Sequence, residues 1–384
     1  MGGDFTFRSY SPPSVRSVFP NAKHAIPAPF QTPFQTPFGR ENSVFHEKNN
    51  LGKIVTKFQL EQHSYNGLHY MSETQHGLVI KAHSGFFTVH TNEGHNHICK
   101  AAGRLTKGRH KEDALAVGDH VEFEIVQSEG FATGRIIAVQ PRGRSLSRKD
   151  PIVSVKKNRD IRQIIVANVD LVVFVFACAQ PDFHPRMLDR YLVGAETQQL
   201  PVIIIANKTD LVGMPAAHKM FSEYERIGYE VLYASASSGE GIAQVRERLR
   251  GRISVLTGKS GVGKSSLLNA LQPGLELEVG RVSDTWLKGK HTTVVPELVE
   301  LDGGWIADTP GIRGYAIWDV EAEVLDEGYR EIAAHIGGCI FSDCTHLHER
   351  GCSVRAAIER GEISRDRYES YVKLREELSR QARY

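Results

Sequence analysis

The amino-acid sequence predicts a multidomain chain: an N-terminal β-barrel of the OB-fold type, a central α/β domain, and a C-terminal α-helical segment. Three observations predict it. From about residue 53 to 145, short alternating apolar runs are split by Gly, Asn and Asp. Beyond residue 151 the period changes, and apolar strands alternate with helical stretches. Near the C-terminus, helical stretches are interrupted by three cysteines and a histidine within fourteen residues.

A length of 384 residues suits two or three domains. With 41% apolar and 24% charged residues, the composition is that of a soluble globular protein. The longest apolar run, DLVVFVFACA at 170–179, is too short to span a bilayer and suits a buried strand. No signal-peptide pattern opens the chain. Five cysteines, an odd number, argue against a secreted disulfide scaffold. A cytoplasmic protein with no membrane partner is the expectation.

Residues 1–52 are rich in Ser, Pro, Phe and Asn, echo themselves as QTPFQTPF at 31–38, and show no amphipathic period. A disordered arm is expected there in preference to a transit peptide. Residues 53–145 carry strand-like runs at 76–91, 95–105, 119–127 and 132–140. Several short strands in so few residues suggest a small antiparallel barrel, and the OB-fold commonly binds oligonucleotides. Gly118 and Asp119 read as a turn into a strand. Between Lys100 and Arg162, 14 Lys/Arg face 8 Asp/Glu, whereas the whole chain carries only +2. Such a local surplus suits a polyanion partner, although a solvated basic surface has the same composition. Residues 141–151 read as a basic linker.

The central domain, 146–317, has apolar strands at 170–177, 202–206, 230–233 and 253–256, with helical stretches near 184–199, 215–227, 241–250 and 264–271. That alternation indicates βαβ units and a mostly parallel sheet. Gly258-Lys259-Ser260-Gly261-Val262-Gly263-Lys264-Ser265 matches G-x-x-x-x-G-K-[ST], with a strand ending at Thr257 before it and a helix after it. Backbone N–H groups of such a loop wrap phosphate oxygens, Lys264 supplies charge to the outer phosphates, and Ser265 offers its hydroxyl to magnesium.

Asn207-Lys208-Thr209-Asp210 follows the strand VIIIA. A carboxylate at Asp210 can accept both guanine N1–H and the exocyclic amine, which adenine cannot supply together. Lys208 can lay its stem along the base, and Asn207 can meet the base edge or tie loops together. Ser235-Ala236 stands where a backbone N–H can reach the guanine carbonyl. Asp308-Thr-Pro-Gly311 provides a carboxylate for magnesium through water and an N–H at Gly311 for the γ-phosphate. GKHTTV at 289–294 offers Thr292 or Thr293 to close on magnesium, Thr293 being preferred.

These motifs are those of GTPases, in permuted order: the base-reading loop precedes the phosphate loop. The phrases ANVDLVVFVFA, FHPRMLDRYL, KGKHTT, DTPGIR and FSDCTHLHERGC, with the barrel and the Cys/His cluster, closely resemble the RsgA (YjeQ) family of small ribosomal subunit biogenesis GTPases over roughly residues 75–380. The resemblance implies a circularly permuted P-loop GTPase domain and slow intrinsic hydrolysis stimulated by the 30S subunit. It further implies binding to 16S rRNA. A monomer that cycles between GTP and GDP is expected. Ile312 stands where Ras-like domains place a catalytic Gln, and the family points instead to His291 as the group that orients water.

In the C-terminal segment, 318–384, Cys339-x4-Cys344-x-His346-x5-Cys352 supplies three thiolates and one imidazole, enough for one closed, structural zinc site. The resemblance selects His346 over His348. The family's Pro after the Glu is Arg350 here, which removes no ligand. Cys99 and Cys178 read as buried strand residues. Lys and Arg at 100–111 and 142–162 are candidate phosphate contacts. Two other readings, a non-enzymatic RNA-binding scaffold and a permuted GTPase serving another partner, share parts of this pattern. Intact Lys264, Ser265, Asp308 and Asp210 speak against the scaffold.

Overall fold

A computed structural model describes residues 74–106, 115–128, 131–149, 162–274, 297–308 and 320–381. Strands β1 (Gln75–His83), β2 (Phe86–Thr91) and β3 (Asn96–Ala101) lead into a one-turn helix, α1 (Gly103–Thr106), and then β4 (His120–Ser128) and β5 (Phe131–Val139). They pair in the order β1-β2-β3-β5-β4, and a β1–β4 pairing closes the ring. Alternate residues point inward: Val79, Val89, Cys99, Val121, Phe123 and Ile136 fill the barrel. The run expected at 95–105 stops at Ala101, because residues 103–106 turn helical.

Asp119 is wholly buried at the turn into β4. Its carboxylate accepts Arg142 Nε at 2.6 Å and Nη2 at 2.7 Å, and the Ala116 N–H at 2.8 Å. Arg142 is therefore committed to the barrel and drops from the candidate phosphate contacts. The linker expected at 141–151 contains β6 (Leu146–Lys149), which pairs antiparallel with β7 (Arg162–Val166).

The central domain continues through β8 (Leu171–Ala177), α2 (Pro185–Glu196), β9 (Val202–Asn207), α3 (Met214–Arg226), β10 (Glu230–Ala234), α4 (Ile242–Leu249), β11 (Ile253–Thr257), α5 (Lys264–Leu271), β12 (Glu297–Leu301) and β13 (Gly304–Asp308). Strands β10, β9, β8, β11 and β13 are neighbours in that order and parallel, and β12 runs antiparallel to β13. Helices cover both faces, so β8 is buried at every residue and reads as an unbroken apolar run. Lys81 of β1 pairs in register with Glu297 of β12, joining barrel and central sheet into eleven continuous strands.

The C-terminal segment adds α6 (Arg330–Ala333), α7 (Ser353–Glu359) and α8 (Arg365–Gln381). Its core, built on Tyr329, Tyr371, Leu325 and Val354, also takes in Val193 of α2. Beside it lies a buried ionic cluster. Arg367 of α8 donates to Asp189 of α2 and, at 2.7 Å, to Glu331 of α6, and the Tyr224 hydroxyl donates to Asp189 at 2.8 Å. Among the described residues no helix is long and apolar enough to cross a membrane.

Candidate nucleotide site and metal centre

The C-terminal ends of parallel strands are where an open α/β sheet gathers its ligands. β11 ends at Thr257 and β9 at Asn207, so the phosphate loop and the base-reading loop emerge on the same edge. Gly258 has no room for a side chain, since a Cβ there would lie 2.3 Å from the Val175 carbonyl oxygen. Gly263 adopts φ 93° as it opens α5, and a Cβ there would lie 2.5 Å from Asn207 Nδ2. Val262 is buried and anchors the loop, whereas Lys259, Ser260 and Gly261 are exposed. Lys264 Nζ donates to the carbonyls of Gly258 at 2.6 Å and Lys259 at 3.0 Å. Ser265 follows in the first turn of α5.

Asn207 is buried, and its Nδ2 donates to the Val262 carbonyl at 2.8 Å. This one bond ties the two loops together across 55 residues of chain. Its Oδ1 is buried without a hydrogen-bond partner among the described residues. Lys208 sits at φ 63° and bridges in the same direction, its Nζ donating to Gly261 O at 2.7 Å and to Gln180 O. Thr209 is buried and donates to Ala234 O at 3.2 Å. Asp210 faces solvent, and its Oδ1 accepts the Ser235 hydroxyl at 2.6 Å. That bond, aided by Ser237 and Lys208, holds the carboxyl below its ordinary value and keeps it an acceptor. The Ser235 N–H already donates to Glu240 O at 2.9 Å, so the expected donor to a guanine carbonyl rests on Ala236.

Asp308 is the last residue of β13, which lies directly beside β11. His291, Thr292, Thr293, Gly311 and Ile312 lie outside the described residues.

The ligand atoms of Cys339, Cys344, His346 and Cys352 all lie within 4.8 Å of one another. His346 turns Nδ1 toward the sulfurs, 3.4 Å from Cys352 Sγ and 3.6 Å from Cys339 Sγ. Its Nε2 is 3.2 Å from Asp326 Oδ2. The Asp326 bond raises His346 to about 9, against the opposing pull of burial. In the neutral imidazole that a metal would bind, the same contact fixes the proton on Nε2 and leaves the Nδ1 lone pair for the ion. Burial works against a Cys339 thiolate, but hydrogen bonds from Ser353 outweigh it and bring the thiol to about 7. His348 is exposed and stands outside the cluster. A three-thiol, one-imidazole donor set of this compactness fits a closed tetrahedral site.

Sequence reasoning missed the side chains that hold this loop. The Glu349 carboxylate accepts the N–H groups of Thr345 at 2.9 Å, Leu347 at 3.0 Å and His348 at 3.1 Å. Asp326 is thirteen positions upstream of Cys339, with no periodicity to link them. Cys99 and Cys178 are buried, and burial lifts their thiols to about 12 and about 11.

A parallel sheet carrying a base-reading loop, then a phosphate loop, then a DxxG strand, defines a circularly permuted GTPase. Residues 139–318 match the family described as RsgA GTPase, and residues 76–131 match the RsgA N-terminal domain. The small ribosomal subunit biogenesis GTPase RsgA of Gemmatimonas aurantiaca is 43% identical over 309 residues, covering 80% of this chain and 99% of that protein. Its namesake in Chlorobaculum tepidum is 37% identical over 313 residues, covering 80% and 100%. Among solved structures, YjeQ from Thermotoga maritima aligns with TM-score 0.63 at 34% identity, over 80% of this chain and 99% of that one. YloQ, described as a circularly permuted GTPase, aligns with TM-score 0.63 at 28% identity, over 82% and 99%. The chain belongs to the RsgA family and is a ribosome-biogenesis GTPase.

Proposed function

We propose that this protein hydrolyses GTP while seated on a maturing 30S subunit, gripping 16S rRNA through the barrel and the C-terminal segment. The observation that carries this reading is the bond from Asn207 Nδ2 to Val262 O, which makes the base-reading and phosphate loops one site. A barrel and a Cys/His module flank that site in the same chain. The four relatives and structures above cover nearly their whole lengths here, and two of them bear the small-subunit name.

In this reading Asp210 selects guanine, the amides of residues 258–265 wrap the phosphates, and Lys264 offsets charge that develops on the outer phosphate. Ser265 and Thr293 would hold the magnesium that accompanies GTP, with Asp308 acting through water, and the ion would supply positive charge at the phosphates. Ile312 cannot orient water, so His291 takes that part. One zinc ion on Cys339, Cys344, His346 and Cys352 would cross-link the C-terminal segment structurally. GTP favours the subunit-bound form and hydrolysis releases it. A cytoplasmic monomer is proposed.

The test is GTP hydrolysis by the full chain with and without purified 30S subunits. Turnover should rise by at least ~10-fold with 30S and remain basal with 50S. Stimulation by 50S instead would reassign the partner, and none by either would remove the ribosome from the mechanism.

A further inference from the structure

Between α2 and α8 runs a groove of about 820 Å³ whose edge is the phosphate loop itself. Ser370, Lys373, Leu374, Glu377 and Gln381 line it from α8, at spacings that put them on one helical face. Arg186, Met187 and Arg190 line the opposite wall, and Lys259 reaches it from the phosphate loop. Arg190 and Glu377 pair at 2.8 Å, which neutralises both. Arg186, Lys259 and Lys373 remain, all exposed. Lys373 also meets Glu369 at 3.9 Å, a weak, exposed contact one turn back along α8.

The buried bonds from Arg367 to Asp189 and Glu331 join α8 to α2 and α6 and so hold the two helical walls together. A groove lined by Arg186, Arg190, Lys259 and Lys373 against the one carboxylate of Glu377 keeps a net positive charge and complements a polyanion.

We propose that this groove seats the phosphate backbone of an RNA strand, which thereby spans α8 and Lys259 of the phosphate loop. The proposal rests on the RNA-partner reading above and names a site for it outside the barrel. It places ribosome contact directly on the nucleotide loop. By linkage, RNA in the groove and nucleotide in the site must change each other's affinity by the same factor.

The test is the pair Arg186→Glu with Lys373→Glu in the full-length protein, and the milder pair Arg186→Gln with Lys373→Gln. Neither residue belongs to the nucleotide site, so basal GTP hydrolysis should be unchanged in both. Binding to poly(U) is followed by anisotropy across a salt series. On a single strand each phosphate contact contributes about 0.7 to the log–log salt slope. The Gln pair should lower that slope by about 1.4 and weaken binding ~10-fold or more, with the Glu pair weaker still. Wild-type slope and affinity in both pairs would overturn the proposal, as would loss of basal hydrolysis in both. Poly-glutamate bound as tightly as poly(U), and lost in the same variants, would replace RNA by an acidic protein. The poly(U) readout is independent of 30S stimulation, so the ribosome reading and this one fail separately.

Discussion

In the proposed reading base selectivity rests on Asp210, a solvent-facing carboxylate that the Ser235 hydroxyl keeps ionised. Two consequences follow at this scale. In Asp210→Asn an amide N–H replaces one acceptor and confronts the exocyclic amine of guanine, whereas xanthine presents a carbonyl there. GTP affinity should fall on the order of 100-fold and xanthosine triphosphate should become the better ligand. Competition binding with both nucleotides checks this, and retained guanine preference refutes the base-reading role. The pH dependence has a definite sign. A carboxyl lowered from an ordinary 3.8 stays charged as pH falls through the usual range. Guanine selectivity should therefore be flat from about pH 8 to about pH 5 and decline only in stronger acid.

The metal loop is held as an element rather than by its ligands alone. Glu349 caps three amides, Tyr368 donates to His346 O at 2.6 Å, and Tyr371 donates to Thr345 O at 2.8 Å. Asp326 then orients the imidazole from outside the loop. Asp326→Asn should weaken metal binding ~10- to 100-fold while leaving all four ligands in place. A chelator competition series on the purified protein measures it, and unchanged affinity would make Asp326 a bystander. At this scale the sequence was readable wherever chemistry is local in the chain. The strand–loop–helix at 253–271, the apolar strands β8 and β9 and the cysteine spacing all announce themselves in short windows. β6 stayed hidden inside a basic stretch because its partner β7 begins thirteen residues beyond its end. β12 stayed hidden because it joins the barrel to the central sheet, with Leu298 and Leu301 buried and Glu300 exposed, so that neither a buried run nor a strict alternation marks it. Asp119, Asp326 and Arg142 look like surface charges in sequence, and only tertiary pairing buries or commits them.

At the scale of the whole molecule, the permuted order leads from DTPG into the Cys/His module within thirty residues, which suggests a direct tether between switch and module. The fold adds a second attachment that the order of motifs does not reveal. Arg367 is 3% exposed and Asp189 2%, and their pairing with Glu331 and Tyr224 joins α8 and α6 to helices α2 and α3 of the GTPase domain. Removing the guanidinium strands two buried carboxylates, which costs about 3–5 kcal/mol. That cost falls on the docking of the C-terminal module, because none of these side chains contacts the phosphate loop. Arg367→Ala should therefore loosen α6 and α8, with amide exchange there at least ~10-fold faster, while the amides of 253–271 and GTP binding stay near wild type. In the wild-type protein the same amides should be equally protected with GTP and with GDP, because the module then moves with the GTPase domain as one piece. Hydrogen exchange in the two nucleotide states decides it. If α8 protection drops on going from GTP to GDP, the ionic cluster opens during the cycle, and the module is hinged rather than fastened.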